Sequence, residues 1–323
     1  MKAVLLGTGW RAMFYLRIGA ALPDLLRIVS IYTHSPQRVE ELACWHVPVS
    51  TRLDEALAVE HDLVIVSSGP RDFLSTMLHL KERGERVLSE TTFLSLSDEE
   101  AASLADMAGA VAEQYMYTPL FASILATLPM VGPVDQLYLS GLHNHHAASI
   151  ARLCLGLGDA MPDEVRTLDF PSRMVRTASR AGLETGLERE DYVRKVRLMR
   201  FANRLFINDF SSNQYHSRLY GKRIEVRGEK GIVTQRGLSL VGDDGLVRDL
   251  DFVFHREHVS GNGQLTLSHV TLGQDLVFVN PFRQVELNDD EIGIAILLDR
   301  LSKGEDCPSM AWGVQDTRLG RLL

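Results

Sequence analysis

The chain is short of several things, and each shortage narrows what it can do. Over 323 residues it has three cysteines, Cys44, Cys154 and Cys307, far apart and never in a CxxC spacing. Neither a disulfide framework nor a thiolate metal cluster is indicated, and a cytoplasmic setting with reduced thiols is expected. No apolar run reaches the roughly 18 residues of a membrane-spanning helix. The run before Gly7 in "MKAVLLGTGW" is too short for a secretory signal. Basic residues are outnumbered, 34 against 42 acidic, for a net charge of −8, so neither nucleic acid nor a membrane surface is an expected partner. There is no HExxH pattern, no internal repeat and no low-complexity linker. What remains is ordinary globular composition, 45% hydrophobic and 24% charged, on a chain long enough for two domains.

The first 118 residues alternate apolar runs with helical patterns. "KAVLL" (2–6), "LRIVSIYT" (26–33), "DLVIVSS" (62–68), "RVLSE" (86–90) and "AVAEQY" (110–115) read as strands. Helices fill the gaps: one through Leu22, one from Pro36, one near 72–83 and one from Ser97. Near-continuous Val/Ile/Leu strands between amphipathic helices predict a parallel sheet covered on both faces, a doubly wound α/β domain. Past Pro119 the rhythm changes. Helices near 119–128 and 146–156 flank a strand at 134–142, and then β-patterned runs follow with Arg-Gly-Glu-Lys-Gly and Gly-Asp-Asp-Gly turn chemistry. This predicts an α+β domain, 119–323, with a largely antiparallel open sheet and helices on one face. Asn288 and Glu291 have capping-box spacing before "IGIAILLDRL", and the helices from about 288 to 323 are free to pack back on the first domain. The charged "REDYVRKVRLMR" (189–200) reads as a solvated helix or loop, and the poorly patterned stretch 157–195, which overlaps its start, could include a mobile loop.

"VLLGTGWRA" places Gly7, Gly9 and Ala12 between the first strand and the first helix, with Thr8, Trp10 and Arg11 among them. The first glycine permits a tight turn, the second lets backbone approach a pyrophosphate, and the small third residue lets helix and strand pack closely. The helix N-terminus then offers N–H groups to the anion. Ser67, Ser68 and Gly69, where the strand 62–68 ends, join this candidate dinucleotide site. An NAD site usually carries an acidic residue at the end of the second strand, on the ribose 2′-hydroxyl. Here Thr33, His34, Ser35 and Arg38 stand there, which favours NADP over NAD because hydroxyls and a cation suit a 2′-phosphate. Ser35-Pro36 also reads simply as a helix start.

Taken together, these features resemble the Gfo/Idh/MocA oxidoreductases over essentially the whole chain. The resemblance lies in the N-terminal GxGxxA, in "ERVLSET" where the family has a motif ending Glu-Lys-Pro, in "AEQYMYTP", and in "HHAASIARLCLG" where it has His-x-x-Asp before a glycine. It implies a Rossmann domain, a second open-sheet domain, a small polar substrate such as a sugar or polyol derivative, and a homo-oligomer assembled through the second sheet. Position by position, Glu90 matches the family glutamate and is a candidate near the nicotinamide. Thr91 and Thr92 fall on the lysine and proline, His146 on the histidine, Ser149 on the aspartate, and Phe73 on a frequent histidine. The chain looks like a branch without the Glu-Lys-Pro lysine.

Hydride exchange with an alcohol carbon needs a group that moves the hydroxyl proton, and threonine can only donate a hydrogen bond. The candidates are His146, Tyr117 and Thr91. His143 and His145 are expected on one face of the strand with His146 opening the helix; each reads equally as a capping or interdomain histidine. Three histidines invite zinc, but no further ligand pattern supports a metal. Tyr117, at the end of the last strand of the first domain and near the expected cofactor cleft, either donates to a carbonyl oxygen or packs. Asp209, Ser211 and Asn213 alternate on one predicted strand face, with Gln214 and Tyr215 beside them, toward either a substrate cleft or an oligomer contact. An NAD(P)-dependent oxidoreductase is the leading expectation. A carbonyl or imine reductase and a non-catalytic dinucleotide-binding sensor are the alternatives.

Overall fold

The computed structural model describes residues 1–179, 182–184, 186–259 and 265–323. Its first elements are β1 (Lys2–Leu6), α1 (Trp10–Ala21), β2 (Arg27–Tyr32), α2 (Pro36–Leu42), β3 (Val49–Ser50), α3 (Leu53–Leu57), β4 (Leu63–Val66), α4 (Phe73–Glu82), β5 (Val87–Ser89), α5 (Asp98–Ala102) and β6 (Gly109–Val111). The six strands form one parallel sheet in the order β3-β2-β1-β4-β5-β6, the Rossmann order. Ala3–Leu6 and Leu63–Val66 are completely buried, as central strands covered on both faces must be. Ser97 and Glu100 close a capping box at the head of α5. The two-residue β3 escapes sequence reading because it is too short to show a period. β6 is also shorter than the run 110–115 suggests, and Tyr117 lies beyond it in a 3-10 turn, Tyr115–Tyr117.

The remaining elements are α6 (Pro119–Val131), β7 (Val134–Ser140), α7 (Asn144–Leu155), β8 (Glu164–Val175), β9 (Ala178–Ser179), β10 (Gly182–Leu183), β11 (Arg189–Phe201), β12 (Arg204–Asp209), β13 (Arg223–Gly228), β14 (Gly231–Thr234), β15 (Gly237–Val241), β16 (Val247–His258), β17 (Leu265–Leu272), β18 (Asp275–Val279), α8 (Asp289–Ser302) and α9 (Met310–Gly320). Ten of these strands make a sheet ordered β18-β17-β16-β15-β14-β13-β7-β12-β11-β8. Strands β7 and β12 pair in parallel, whereas the neighbouring pairs are antiparallel. α7 packs on β7 and β12, and Leu137, Leu139 and Phe206 of these strands are fully buried.

The structure corrects three local expectations here. Residues 189–200 are neither helix nor loop but most of β11, paired along its length with β8. Opposite charges meet across that pair, Arg173 with Asp191 at 2.5 Å and Arg200 with Glu164 at 3.3 Å, so a charged segment becomes a stable ribbon. Strand β12 ends at Asp209, and Ser211 begins a 3-10 turn capped reciprocally with Gln214; Asp209, Ser211 and Asn213 therefore do not share a strand face. The strand before the histidines stops at Ser140 because Gly141 turns with φ +81°. His143 is consequently the N-cap of α7, and His145 lies in its first turn.

The chain divides into two compact units. The first is Met1–Pro119 with Arg256–Ser268 and Asn280–Arg318; the second is Leu120–His255 with His269–Val279 and Leu319–Leu323. In the first unit α8 carries the Asn288/Glu291 capping box. A Cβ on Gly313 of α9 would stand 2.6 Å from Val111, so this helix lies directly on β6. Among the described residues no helix is long and apolar enough to cross a membrane.

Candidate functional site

At the end of β1 the backbone turns at Gly7 with φ +113°, and a Cβ there would lie 2.5 Å from the Ser67 carbonyl oxygen. Only glycine fits such a close approach at positive φ. Its N–H donates to the Tyr32 carbonyl at 3.0 Å, tying the turn to β2. Gly9 is the N-cap of α1, no side chain caps that helix, and its first turn holds no acidic residue. A Cβ on Gly9 would meet nothing within 4 Å. The space in front is a cavity of about 290 Å³, lined by Gly7–Gly9 of this turn, Tyr32–Ser35 and Arg38 beyond β2, and Ser67–Gly69 beyond β4. The hydroxyl oxygens of Ser67 and Ser68 are buried with no hydrogen-bond partner among the described residues. Open helix N–H groups and two unsatisfied hydroxyls, at the carboxyl edge where the strand order reverses, fit a phosphate-bearing ligand.

The β2 side of the cavity is more balanced in charge than its sequence suggests. Thr33 is buried; its Oγ1 accepts the Ser35 N–H at 3.2 Å and lies 3.3 Å from Thr8 Oγ1. Ser35 occupies the N-cap position of α2, but its hydroxyl turns to Gln37 at 2.8 Å rather than capping the helix. Arg38 is ion-paired with Glu41. His34 Nδ1 is 3.0 Å from the Tyr32 hydroxyl, and its Nε2 is 3.5 Å from Asp72 Oδ2. Burial first, and the Asp72 charge second, hold the Tyr32 phenol above its usual pKa. Asp72 is not legible in the sequence as a neighbour of this site, because it belongs to the connection after β4, about forty residues from the end of β2.

At the end of β5, Glu90 is almost buried and held from α1. The Arg11 Nε–H is shared by both carboxylate oxygens at 3.0 Å each, and the Tyr15 hydroxyl donates to Oε1 at 2.5 Å. Burial works against the Arg11 charge, and the charge and hydrogen bond of Glu90 more than offset it, so the guanidinium stays ionised. Arg11, Glu90, the buried Ala12 and the exposed Trp10 do not line the cavity. Thr91 precedes a 3-10 turn, Thr92–Ser95, without capping it. On the neighbouring strand end Glu113 is 1% exposed and accepts the Tyr115 N–H at 3.1 Å. Burial pushes its carboxyl up to about 8, with Asp290 raising and Arg11 lowering it. Glu113 lies inside "AEQYMYTP", yet nothing local reveals its burial. Tyr117 stacks under Arg300, its ring centroid 5.8 Å from the guanidinium carbon, and burial pushes its phenol up to about 12.

In the second unit His143, His145 and His146 cluster at the head of α7. The rings of His145 and His146 lie 4.0 Å apart, and His143 and His145 are parallel at 6.4 Å. Tyr215 lies against His143 at 4.9 Å. His146 and Ser149 are buried. In the first unit Phe73 is core, edge-on to Phe93. No cluster of metal-ligating side chains occurs among the described residues.

No protein-family model matches the chain, and no curated protein sequence does. Solved structures do. A levoglucosan dehydrogenase bound to NADH and levoglucosan superposes with a TM-score of 0.68 at 13% identity, covering 100% of this chain and 95% of that one. An Agrobacterium radiobacter oxidoreductase in complex with NAD+, L-tartaric acid and magnesium gives 0.66 at 15%, covering 99% and 94%. A Corynebacterium glutamicum myo-inositol dehydrogenase gives 0.62 at 15%, covering 99% and 94%. The chain has their fold. It is the two-sheet architecture that the sequence resemblance implied.

Proposed function

We propose that this chain is a nicotinamide-dinucleotide-dependent oxidoreductase acting on a small polar substrate of the sugar or polyol class. The observation that carries the reading is the cavity at Gly7–Gly9, where the uncapped head of α1 meets the unpartnered hydroxyls of Ser67 and Ser68. Structures with this fold bind NAD or NADH, one of them together with levoglucosan. In this reading the glycine turn and the α1 N-terminus hold the pyrophosphate, with Ser67 and Ser68 beside it. The dinucleotide, when bound, supplies hydride exchange at C4 of its nicotinamide. Thr33, Ser35 and Arg38 favour NADP by residue type, but the pairing of Arg38 with Glu41 withdraws that cation.

For the proton we propose His146, a buried imidazole among two others, with Thr91 as a hydrogen-bond donor only. His146→Asn is expected to lower kcat on the order of 100-fold while leaving dinucleotide affinity unchanged; an unaltered kcat removes the assignment. Quenching and energy-transfer fluorescence with NADH and NADPH, followed by single-turnover assays across aldoses, ketoses, inosones and cyclic imines, tests the whole reading. Turnover of imines alone makes it an imine reductase. Tight binding without turnover of any class favours a sensor, a second reading motivated by the threonine at the family's lysine position and by the Arg11 clamp on Glu90.

We also propose that copies of the chain assemble through the open face of the ten-stranded sheet. Register places Ile232, Val241 and Val247 on that face, each exposed. Sedimentation equilibrium is expected to give a multiple of the single-chain mass, and Val241→Glu to reduce it.

A further inference from the structure

We propose that Asp72 selects the dinucleotide, favouring the 2′-hydroxyl of NAD over the 2′-phosphate of NADP; this rests on the dinucleotide reading of the Gly7–Gly9 cavity. The selector usually sought is an acid at the end of the second strand, and Tyr32-Thr33-His34-Ser35 has none. The structure sets a carboxylate behind the same wall from the β4–α4 connection: Asp72 does not itself line the cavity but touches a residue that does. Asp72 Oδ2 stands 3.5 Å from His34 Nε2, and His34 and Tyr32 both line the cavity. The Asp72 charge reaches the Tyr32 hydroxyl, which is itself 3.0 Å from the other imidazole nitrogen.

The charges around this end of the cavity decide the sign. Arg38 is the permanent cation of the lining, and Glu41, its half-exposed ion-pair partner, offsets part of its charge. Asp72 then adds a carboxylate behind the wall, and its partner there, His34, is a histidine rather than a fixed cation. A ribose 2′-hydroxyl is compatible with the field of that carboxylate, and a doubly charged phosphate is repelled by it. His34 and Asp72 are both half-exposed, with side-chain exposures of 60% and 48%, so solvent screens the repulsion and it shifts preference without forbidding NADP.

The substitution is mild. Asp72 is the N-cap residue of α4 but its side chain makes no capping bond, and asparagine is as good at that position. We expect the wild-type full-length chain to bind NADH more tightly than NADPH in fluorescence titrations. Asp72→Asn is expected to shift the ratio of the two dissociation constants toward NADPH by roughly tenfold, mainly by tightening NADPH. Asp72→Ser removes the same charge, keeps a helix-capping residue, and carries the same expectation if the asparagine variant fails to fold. A ratio unmoved by either folded variant overturns the role of Asp72 alone, as does a wild-type preference for NADPH. Binding of neither dinucleotide by the wild type overturns the cavity reading, and the inference with it.

Discussion

Replacing Arg11 with methionine is expected to lower the stability of the chain by about 3–5 kcal/mol, the cost of leaving a buried carboxylate without its cation. The side chains of Arg11 and Glu90 are only 16% and 11% exposed, so water cannot take over the lost contact. Tyr15 still donates to Oε1, but a phenol brings no charge. Glu90→Gln is expected to be destabilising for the converse reason, since it leaves the guanidinium facing a neutral amide. Combining the two changes restores much of the loss, because neither charge is then stranded. The double-mutant cycle, read from urea midpoints, should return a coupling of 1–3 kcal/mol, in the range seen for contacting residues. A methionine variant within about 0.5 kcal/mol of wild type, the range of an ordinary surface change, would remove the clamp as the reason Glu90 sits where it does. The same pair explains the strand end "RVLSETT". Its glutamate is anchored to the first helix by Arg11 and Tyr15, and in the proposed reaction another residue carries the proton.

What the sequence makes legible here is what short-range physics decides. Uninterrupted apolar runs such as Leu63–Val66 require a two-sided cover, and Gly7 is demanded by a turn that no Cβ can enter. The Asn288/Glu291 box is visible as spacing and present as a pair of hydrogen bonds. The ribbon of β8 and β11 is illegible for the opposite reason. Its residues look like a solvated charged segment until the register sets Asp191 against Arg173 and Arg200 against Glu164. Two residues of the candidate site are hidden in the same way. Asp72 reaches His34 of the cavity wall from a different strand connection, and Glu113 is buried in the unit that α8 completes, some 175 residues further along the chain. "GLHNHH" alone puts His145 on a strand face, because nothing in it announces that Gly141 has already turned the chain.

Glu113 makes stability depend on pH in a direction opposite to that of most carboxylates. Its folded pKa, about 8, lies above the ordinary value of 4.5 because burial penalises the charge. Between these values the unfolded chain has released a proton that the folded chain still holds. The contribution of Glu113 is therefore fully present below about pH 4.5, declines as pH rises, and is lost by the time pH passes about 8. The span of 8 − 4.5 = 3.5 pH units, at about 1.4 kcal/mol each, amounts to something on the order of 5 kcal/mol. That is comparable to the whole margin of a marginal domain. Glu113→Gln keeps the shape and keeps an oxygen for the Tyr115 N–H, but it cannot ionise. We expect the variant to resemble wild type near pH 5 and to be more stable than wild type by several kcal/mol near pH 9, measured as the difference of their urea midpoints across pH. Parallel curves for the two proteins from pH 5 to 9 would show that Glu113 ionises normally in the folded chain. A variant destabilised equally at every pH would show instead that the glutamine fails to replace its contacts. The proton held by Glu113 also bears on the charge at the strand ends. With Glu113 neutral, Arg11 is left to Glu90, and ionising Glu113 adds a second carboxylate acting on the same guanidinium. Alkaline pH should therefore weaken the Arg11–Glu90 coupling measured by the double-mutant cycle, whereas the same cycle built on Glu113→Gln should give one value at pH 6 and pH 9.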